Sequence, residues 1–261
     1  MFSERDLGGE LSAVRDRYAP DAVVLNSSTD FETLESATAE ELLLVTDSVE
    51  PLSLDPAWLP GSAPDQLRQY VGAEFAVGLP GDGGVAWTTQ TEPACVIVKP
   101  RLETSPGAFV DFLVAEALVE TGLGEPEQFV EFFGERYRDL AAVTDPRIGP
   151  TGTYQLAVAL YDAYLGLQTR EAFETWGEDY PELHAAWADA GERLQSRVGD
   201  LSTELARGQT DFAAAAELAC SAVKHGLELP APFAALDTTA YADHGAGYAV
   251  RWAEKTLEQL D

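Results

Sequence analysis

Histidine, cysteine and lysine are all scarce in this chain. Its 261 residues include 3 histidines and 2 cysteines, and the only lysines are Lys99, Lys224 and Lys255. No two histidines have the i, i+4 spacing of a metal-binding pair, and two cysteines are too few for a disulfide framework or a cysteine-rich zinc site. The composition therefore predicts that the protein holds no metal and no cofactor.

Long apolar runs and basic clusters are also missing. No segment approaches the roughly 20 apolar residues of a membrane-spanning helix, and the first ten residues, MFSERDLGGE, are too charged for a secretory signal peptide. No basic stripe is present to contact the phosphates of a nucleic acid. We therefore expect no membrane partner, no nucleic-acid partner and a cytoplasmic location.

Acidic residues are abundant. The chain has 45 Asp and Glu against 16 Lys and Arg, a formal net charge of -29, and these acids are spread along its whole length. Because 46% of the residues are apolar, the chain can still bury a substantial core and does not have the composition of a disordered acidic tail. Concentrated salt would screen the repulsion between the acids. The composition predicts a halophilic, salt-adapted surface typical of an acidic proteome.

The chain is organised around residues 94–121. Ala94–Lys99 is an apolar run that predicts a buried strand. Ser105-Pro106 supplies an N-cap and a first helical residue, and Phe109–Glu120 follows with apolar side chains on nearly every side. A helix that is apolar all round but too short to cross a membrane is a central core helix.

The pattern alternates between apolar and polar before this helix and becomes helical after it. Predicted strands at Glu74–Leu79, Val85–Thr89 and Ala94–Lys99, with a turn at 80–84, indicate a small antiparallel meander at about 73–99. Ala39–Val49 is predicted to be a helix with Leu42, Leu43 and Val45 facing inward. The predicted helices that form the centre of the second half are Gly107–Thr121, Pro126–Ala142 and Thr153–Leu167.

The predicted fold class is α+β, mostly α, with the antiparallel meander packed against a helical bundle at about 107–260. No low-complexity linker divides the chain, so residues 1–261 are expected to form a single domain. Within it, residues 1–100 would supply helices and the small sheet, and residues 101–261 the helical part.

One segment of the core helix resembles a catalytic motif. Ala115-Glu116-Ala117-Leu118-Val119 resembles the His-Glu-x-x-His helix of zincin metallopeptidases, in which the glutamate activates a zinc-bound water. Glu116 matches that glutamate, whereas Ala115 and Val119 replace both histidines, and Gln155 stands where one branch of the class has a glutamate ligand. Over residues 73–168 the resemblance implies a scaffold without metal, whose cleft would bind a peptide or small ligand.

The candidate site residues lie on two predicted helices. Glu116 and Asp162 are the candidate catalytic bases of an otherwise unrecognised carboxylate site. Tyr154, Gln155 and Tyr161 are candidate ligand-binding residues, because helical spacing places the two tyrosines near one side, where they could line a cleft. Ordinary packing with hydroxyl groups at the boundary is the alternative for the tyrosines. We expect Glu116 to be partly buried.

The whole chain also resembles an uncharacterised family of haloarchaeal proteins. This resemblance is carried by the opening FSERDLGGELSAVRDRYAPDAVV, by FVDFLVAEALVETGL, and by AELACSAVKHGLELPAPFAALDTTAYADHG near the end. It implies a haloarchaeal source and no known activity, so it assigns no catalytic residue.

Three classes of function remain open. The leading hypothesis is a non-catalytic interaction or scaffold protein, with an unknown protein partner or self-association. The second is the metal-free zincin-like scaffold, and the third is a hydrolase that uses Glu116 or Asp162. The absence of a convergent polar motif favours a non-enzymatic role.

Overall fold

A computed structural model describes residues 2–34, 38, 40–71, 75–79 and 83–259 of the chain. The described residues are 62% helical and form one small sheet of four strands and another of two. The predicted fold class, α+β and mostly α, is therefore confirmed. No helix in the described part of the chain combines the length and the apolar character needed to span a lipid bilayer.

The strands come from a longer stretch of the chain than was predicted. They are β1 (Phe2–Glu4), β2 (Val23–Ser27), β3 (Ser48–Val49), β4 (Val85–Thr88), β5 (Thr91–Glu92) and β6 (Cys95–Val98). The four-stranded sheet has the order β1-β2-β6-β4, and β3 pairs with β5. The strands predicted at 85–89 and 94–99 are thus present, with bounds within one residue.

The sheet is mixed and is not the predicted antiparallel meander. β2 pairs with β6 in parallel, with Val23 opposite Cys95, whereas β1 and β4 each pair antiparallel with their neighbours. Residues 75–79 form no strand, and Val77 is instead a fully buried residue whose carbonyl accepts a hydrogen bond from the Leu34 amide at 3.0 Å. The other predicted residues of this strand and turn, 74 and 80–82, lie outside the described residues.

Burial on both faces explains why β6 has no polar position. Every residue of β6 is buried, and side chains alternate between the two faces of a strand. Cys95 and Ile97 join a core cluster on one face. On the other side, β4 and β6 pack against the helix Gly107–Gly122, which also packs against the helix Gly9–Tyr18. The central helix predicted from its apolar circumference is therefore confirmed.

The segment after residue 40 differs from its predicted helix. Glu40–Leu44 forms a short 3₁₀ helix and Ser48–Val49 a strand, while Ala39 lies outside the described residues. The helix cannot continue because the amide of Asp47 donates to the carbonyl of Glu92 at 2.6 Å, which starts the pairing of β3 with β5. Consequently Leu42 is buried, but Leu43 and Val45 point outward, contrary to the prediction.

The α-helices that the structure describes are, in chain order, α1 (Gly9–Tyr18), α2 (Asp65–Tyr70), α3 (Gly107–Gly122), α4 (Phe129–Phe133), α5 (Arg136–Asp179), α6 (Pro181–Val198), α7 (Leu201–Ala206), α8 (Phe212–Val223) and α9 (Thr239–Gln259). Short 3₁₀ helices also occur at Pro56–Trp58, Pro100–Leu102 and Phe233–Leu236. The helix predicted at 126–142 is interrupted at Gly134, whose positive φ of 53° ends α4. Between the predicted helices 126–142 and 153–167, the only break within α5 is a single non-helical residue, Gly149.

Two compact units can be distinguished within the chain. The first comprises Met1–Ser53, Gly72–Glu127 and Thr175–Trp187, and contains both sheets with α1 and α3. The second comprises Leu54–Val71, Gln128–Glu174 and Ala188–Asp261. That residues 1–261 act as one folding domain remains a prediction.

Aromatic rings form much of the core of the second unit. The ring of Phe132 lies 5.0 Å from that of Tyr161 and 4.7 Å from that of Tyr164. In a second group, the ring of Phe212 stacks against those of Phe233 and Trp252, with ring centroids about 6 Å apart in each pair. The buried hydroxyl of Tyr241 donates to the carbonyl of Leu160 at 2.5 Å. The one polar group of this side chain therefore has a hydrogen-bond partner in the backbone.

Candidate functional site

Glu116 lies on α3 and is only 7% exposed, so it is more deeply buried than expected. The two positions that hold zinc ligands in a zincin, Ala115 and Val119, are buried as well. Neither side chain can coordinate a metal. The zincin resemblance and a catalytic role for Glu116 remain predictions.

The other four candidate residues lie on α5, in the second unit, whereas Glu116 belongs to the first. Tyr161 is buried against Phe132. Tyr154 is half-buried, with its ring 5.4 Å from that of Phe129 in an edge-to-face contact. Gln155 and Asp162 are exposed. The structure thus places both tyrosines in aromatic packing, and their role in ligand binding remains a prediction.

Metal-ligating side chains do not converge in the part of the chain that the structure describes: no three of its His, Cys, Asp or Glu residues form a group able to hold an ion. Cys95 and Cys220 are both buried free thiols. Burial raises the pKa of each thiol above its ordinary value, so neither has the depressed pKa that activates a nucleophilic cysteine.

One cleft of about 320 Å³ opens in the second unit. Its two walls are a loop at 60–62 and one face of α5, and its lining consists of Pro60, Gly61, Ser62, Arg138, Ala141, Ala142, Asp145 and Pro146. The loop is fixed by Arg68, whose guanidinium donates to the carbonyls of Pro60 at 3.1 Å, Gly61 at 2.6 Å and Ala63 at 3.2 Å. One wall of this cleft is therefore pre-formed.

Asp145 accepts two hydrogen bonds at the cleft, one on each carboxylate oxygen. Ser62 Oγ donates to one carboxylate oxygen at 2.5 Å, and Thr153 Oγ1 donates to the other at 2.7 Å. The buried hydroxyl of Thr144 lies 2.6 Å from that of Thr153 and extends this chain of hydroxyl groups inward. The orientation of the carboxylate is thus set by groups from both walls of the cleft.

A second candidate site is the carboxylate of Glu127, at the corner between β4 and β5. One of its oxygens accepts hydrogen bonds from the Thr88 hydroxyl and the Thr89 amide, both at 2.9 Å, and the other accepts one from Gln90 Nε2 at 2.8 Å. Burial raises the pKa of Glu127 to about 7 against the opposing effect of these hydrogen bonds. Glu127 therefore titrates near neutral pH.

Gln90 explains why this carboxylate is held in place. Its Nε2 also donates to the carbonyl of Ala76 at 2.7 Å, and its Oε1 accepts from the amide of Leu52 at 3.0 Å. Glu127 is thus bound to a buried network that joins three separate segments of the first unit. The hydrogen bonds that the structure shows for Glu127 all come from residues of the β4–β5 corner, which indicates a structural role. We refer to this set of hydrogen bonds as the clasp of Glu127.

Exposed aliphatic side chains form the third feature. Leu43, Leu44 and Val45 are 50%, 85% and 37% exposed and are the large apolar residues that stand out on the described surface. We refer to these three consecutive residues as the aliphatic knob. Contiguous exposed apolar groups on a protein are typical of contact surfaces.

Sequence reasoning did not identify the functional groups of these features. The EELLLV segment carried a signal for the knob, because an amphipathic helix cannot bury three consecutive aliphatic side chains on one face. No sequence signal pointed to the other two features. The contact of Ser62 with Asp145 and that of Glu127 with residues 88–90 both join segments that are distant in the chain.

Comparison with known proteins gives one result. No curated protein and no solved structure matches the chain. A family model described as a family of unknown function covers residues 1–260, which confirms the predicted membership of an uncharacterised family over nearly the full length. The chain therefore belongs to the family of unknown function DUF7089.

Proposed function

We propose that this protein is a non-catalytic interaction protein that presents the aliphatic knob to another protein. The observation that carries the proposal is the exposure of Leu43, Leu44 and Val45 in a chain of net charge -29. Leu44 alone is 85% exposed. Exposed aliphatic groups are unfavourable in water and become favourable when a partner covers them.

The backbone at the knob is held at both ends. Leu42 is fully buried, and its carbonyl accepts hydrogen bonds from the amides of Val45 and Thr46 at 2.9 Å. Thr46, also buried, adds a bond from its hydroxyl to the same carbonyl at 2.8 Å. A contact surface that is already ordered loses less conformational entropy on binding, which favours affinity for a partner.

The charges around the knob point to the chemistry of that partner. Glu40, Asp47 and Glu50 are exposed on either side of the aliphatic residues. A partner with an apolar groove rimmed by lysine or arginine would complement both the knob and its acidic surroundings. A second copy of this chain would bring like charges together, so a different protein is the favoured occupant. Three side chains make a small contact area, which is typical of a transient complex.

Site-specific photo-crosslinking in cells of the source organism tests this proposal. A photoreactive amino acid at position 44 should give crosslinks to a partner whose crosslinked peptides contain apolar and basic residues. The same amino acid at position 209, where Gln209 is exposed in the second unit, is the matched control. Identical crosslinks from both positions, or crosslinks only between copies of the chain, would contradict the proposal.

Competition with purified protein provides a second measurement. Excess wild-type protein, and a Leu43→Met/Leu44→Met variant that keeps the surface apolar, should both suppress the crosslink from position 44. A Leu43→Ser/Leu44→Ser variant should not. Because both leucines are exposed, we expect each double variant to change the free energy of unfolding by no more than about 0.5 kcal/mol per site, and thermal melts will verify that it is folded.

A further inference from the structure

The cleft at residues 60–62 and 138–146 contains opposite charges that do not pair with each other. Arg138 and Asp145 both line it, yet among the described residues neither has an ion-pair partner within 4 Å. They lie on one helix, seven positions apart, which separates their Cα atoms by roughly 10 Å along the axis. The cleft therefore has a positive end and a negative end.

Among the residues that the structure describes, Arg138 has no acidic partner although acids outnumber basic residues by 45 to 16, and it lines the cleft. Arg138 is exposed, and its five N–H donors form a planar fork that matches a carboxylate. A carboxylate in the cleft would find there a complementary cation in a surface that otherwise repels anions. This favours a carboxylate as the group bound at the Arg138 end.

Asp145 offers the complementary binding group at the other end. A carboxylate has about four lone-pair sites, and the bonds from Ser62 and Thr153 occupy one site on each oxygen. The sites that remain can accept N–H donors from an ammonium group. Because Ser62 and Thr153 fix its orientation, the carboxylate can bind such a group with little further loss of freedom.

The region between the two charges is apolar and small. Ala141, Ala142, Pro60 and Pro146 supply its surface. A volume of about 320 Å³ is at the lower end of the range for ligand pockets, which suits a molecule of few heavy atoms. An aliphatic side chain would fit against the alanines and prolines.

We propose that this cleft binds a small zwitterion of the amino-acid or dipeptide class, with its carboxylate against Arg138, its ammonium group against Asp145 and an aliphatic side chain on the alanine and proline surface. This site lies in the second unit and is independent of the aliphatic knob, which belongs to the first.

Isothermal titration of the full chain with four probes tests the proposal. L-alanine and L-alanyl-L-alanine carry both charges, N-acetyl-L-alanine lacks the ammonium group, and L-alaninamide lacks the carboxylate. At least one zwitterion should bind, and both blocked probes should bind at least about tenfold more weakly, since each loses one charge-assisted contact. Two results would overturn the proposal. One is that neither zwitterion binds at about 10 mM ligand, on the order of the weakest affinity of interest. The other is that a blocked probe binds as tightly as the zwitterion.

Variants then locate the site. Arg138→Gln and Asp145→Asn should each weaken binding of the zwitterion at least about tenfold. Arg207→Gln removes an exposed arginine elsewhere in the second unit and should leave the dissociation constant unchanged. Because Arg138 is exposed, its variant should melt like the wild type. An unchanged dissociation constant for a folded Arg138→Gln variant would overturn the proposed site.

Discussion

Gly122, at the end of α3, lies directly against the backbone of Tyr18, at the end of α1. A Cβ atom at position 122 would stand 2.1 Å from the carbonyl oxygen of Tyr18 and 3.0 Å from its carbonyl carbon. The opposing atoms belong to the backbone and not to a flexible side chain. The two helices can therefore approach this closely only because residue 122 has no side chain.

Replacing Gly122 by Ala should separate α1 from α3 locally and lower the free energy of unfolding by about 1–3 kcal/mol, the usual cost of overpacking. Gly107→Ala, at the other end of α3, is the matched control because nothing lies within 4 Å of its added Cβ atom. That control should be neutral or stabilising by up to about 1 kcal/mol. Urea unfolding of both variants provides the measurement, and equal stability of the two would show that the close approach is unimportant.

The clasp of Glu127 should make part of the stability depend on pH. Burial raises the pKa of Glu127 from 4.5 to about 7 in the folded protein, so the folded state holds the proton more tightly than the unfolded chain. The contribution of Glu127 to the free energy of unfolding is therefore largest under acidic conditions and declines as the pH rises from about 4.5 to about 7.

A comparison with Glu127→Gln isolates this contribution from those of the other acids. The free energy of unfolding of the wild type minus that of the variant should decrease between pH 5 and pH 8, by on the order of 2 kcal/mol for this partly exposed group. Glu125→Gln, which removes a neighbouring negative charge, is the control. A constant difference across this pH range for Glu127→Gln would mean that Glu127 does not titrate there.

The net charge of -29 leads to a prediction about salt. Increasing KCl from 0.1 M to 1 M shortens the Debye length from about 10 Å to about 3 Å, which screens repulsion between surface acids. The melting temperature should therefore rise by several degrees or more over this range. Near the pI of about 4.2, where many of the carboxylates are protonated, the rise should largely disappear. A melting temperature that is insensitive to KCl at neutral pH would contradict a salt-adapted surface.

The parts of the fold that could be predicted are those that local patterns determine. β6 and α3 were located within one or two residues, since a continuous apolar run and a helix apolar on every side each have one favourable environment, the core. β1 was missed. Its residues, Phe2, Ser3 and Glu4, show no strand pattern, and they become a strand only because β2 offers a neighbouring edge.

The candidate sites were less predictable because they depend on contacts between segments that are distant in the sequence. Ser62 and Asp145, or Thr88 and Glu127, meet only after the chain has folded, and no spacing in the sequence relates them. Glu116 was selected because it matched a catalytic pattern, yet its helix uses nearly every direction for packing. A single sequence can show that a carboxylate is near the core, but its partners depend on tertiary contacts.

The parallel pairing of β2 with β6 has a consequence for the order of events during synthesis. β2 comprises Val23–Ser27 and β6 comprises Cys95–Val98, and β6 lies between β2 and β4 in the sheet. β2 therefore leaves the ribosome long before β6, and the parallel ladder between these two strands cannot form until residue 98 has emerged. Until then, Leu25 lacks Cys95 and Ile97, the residues of β6 with which it shares a core cluster in the folded protein.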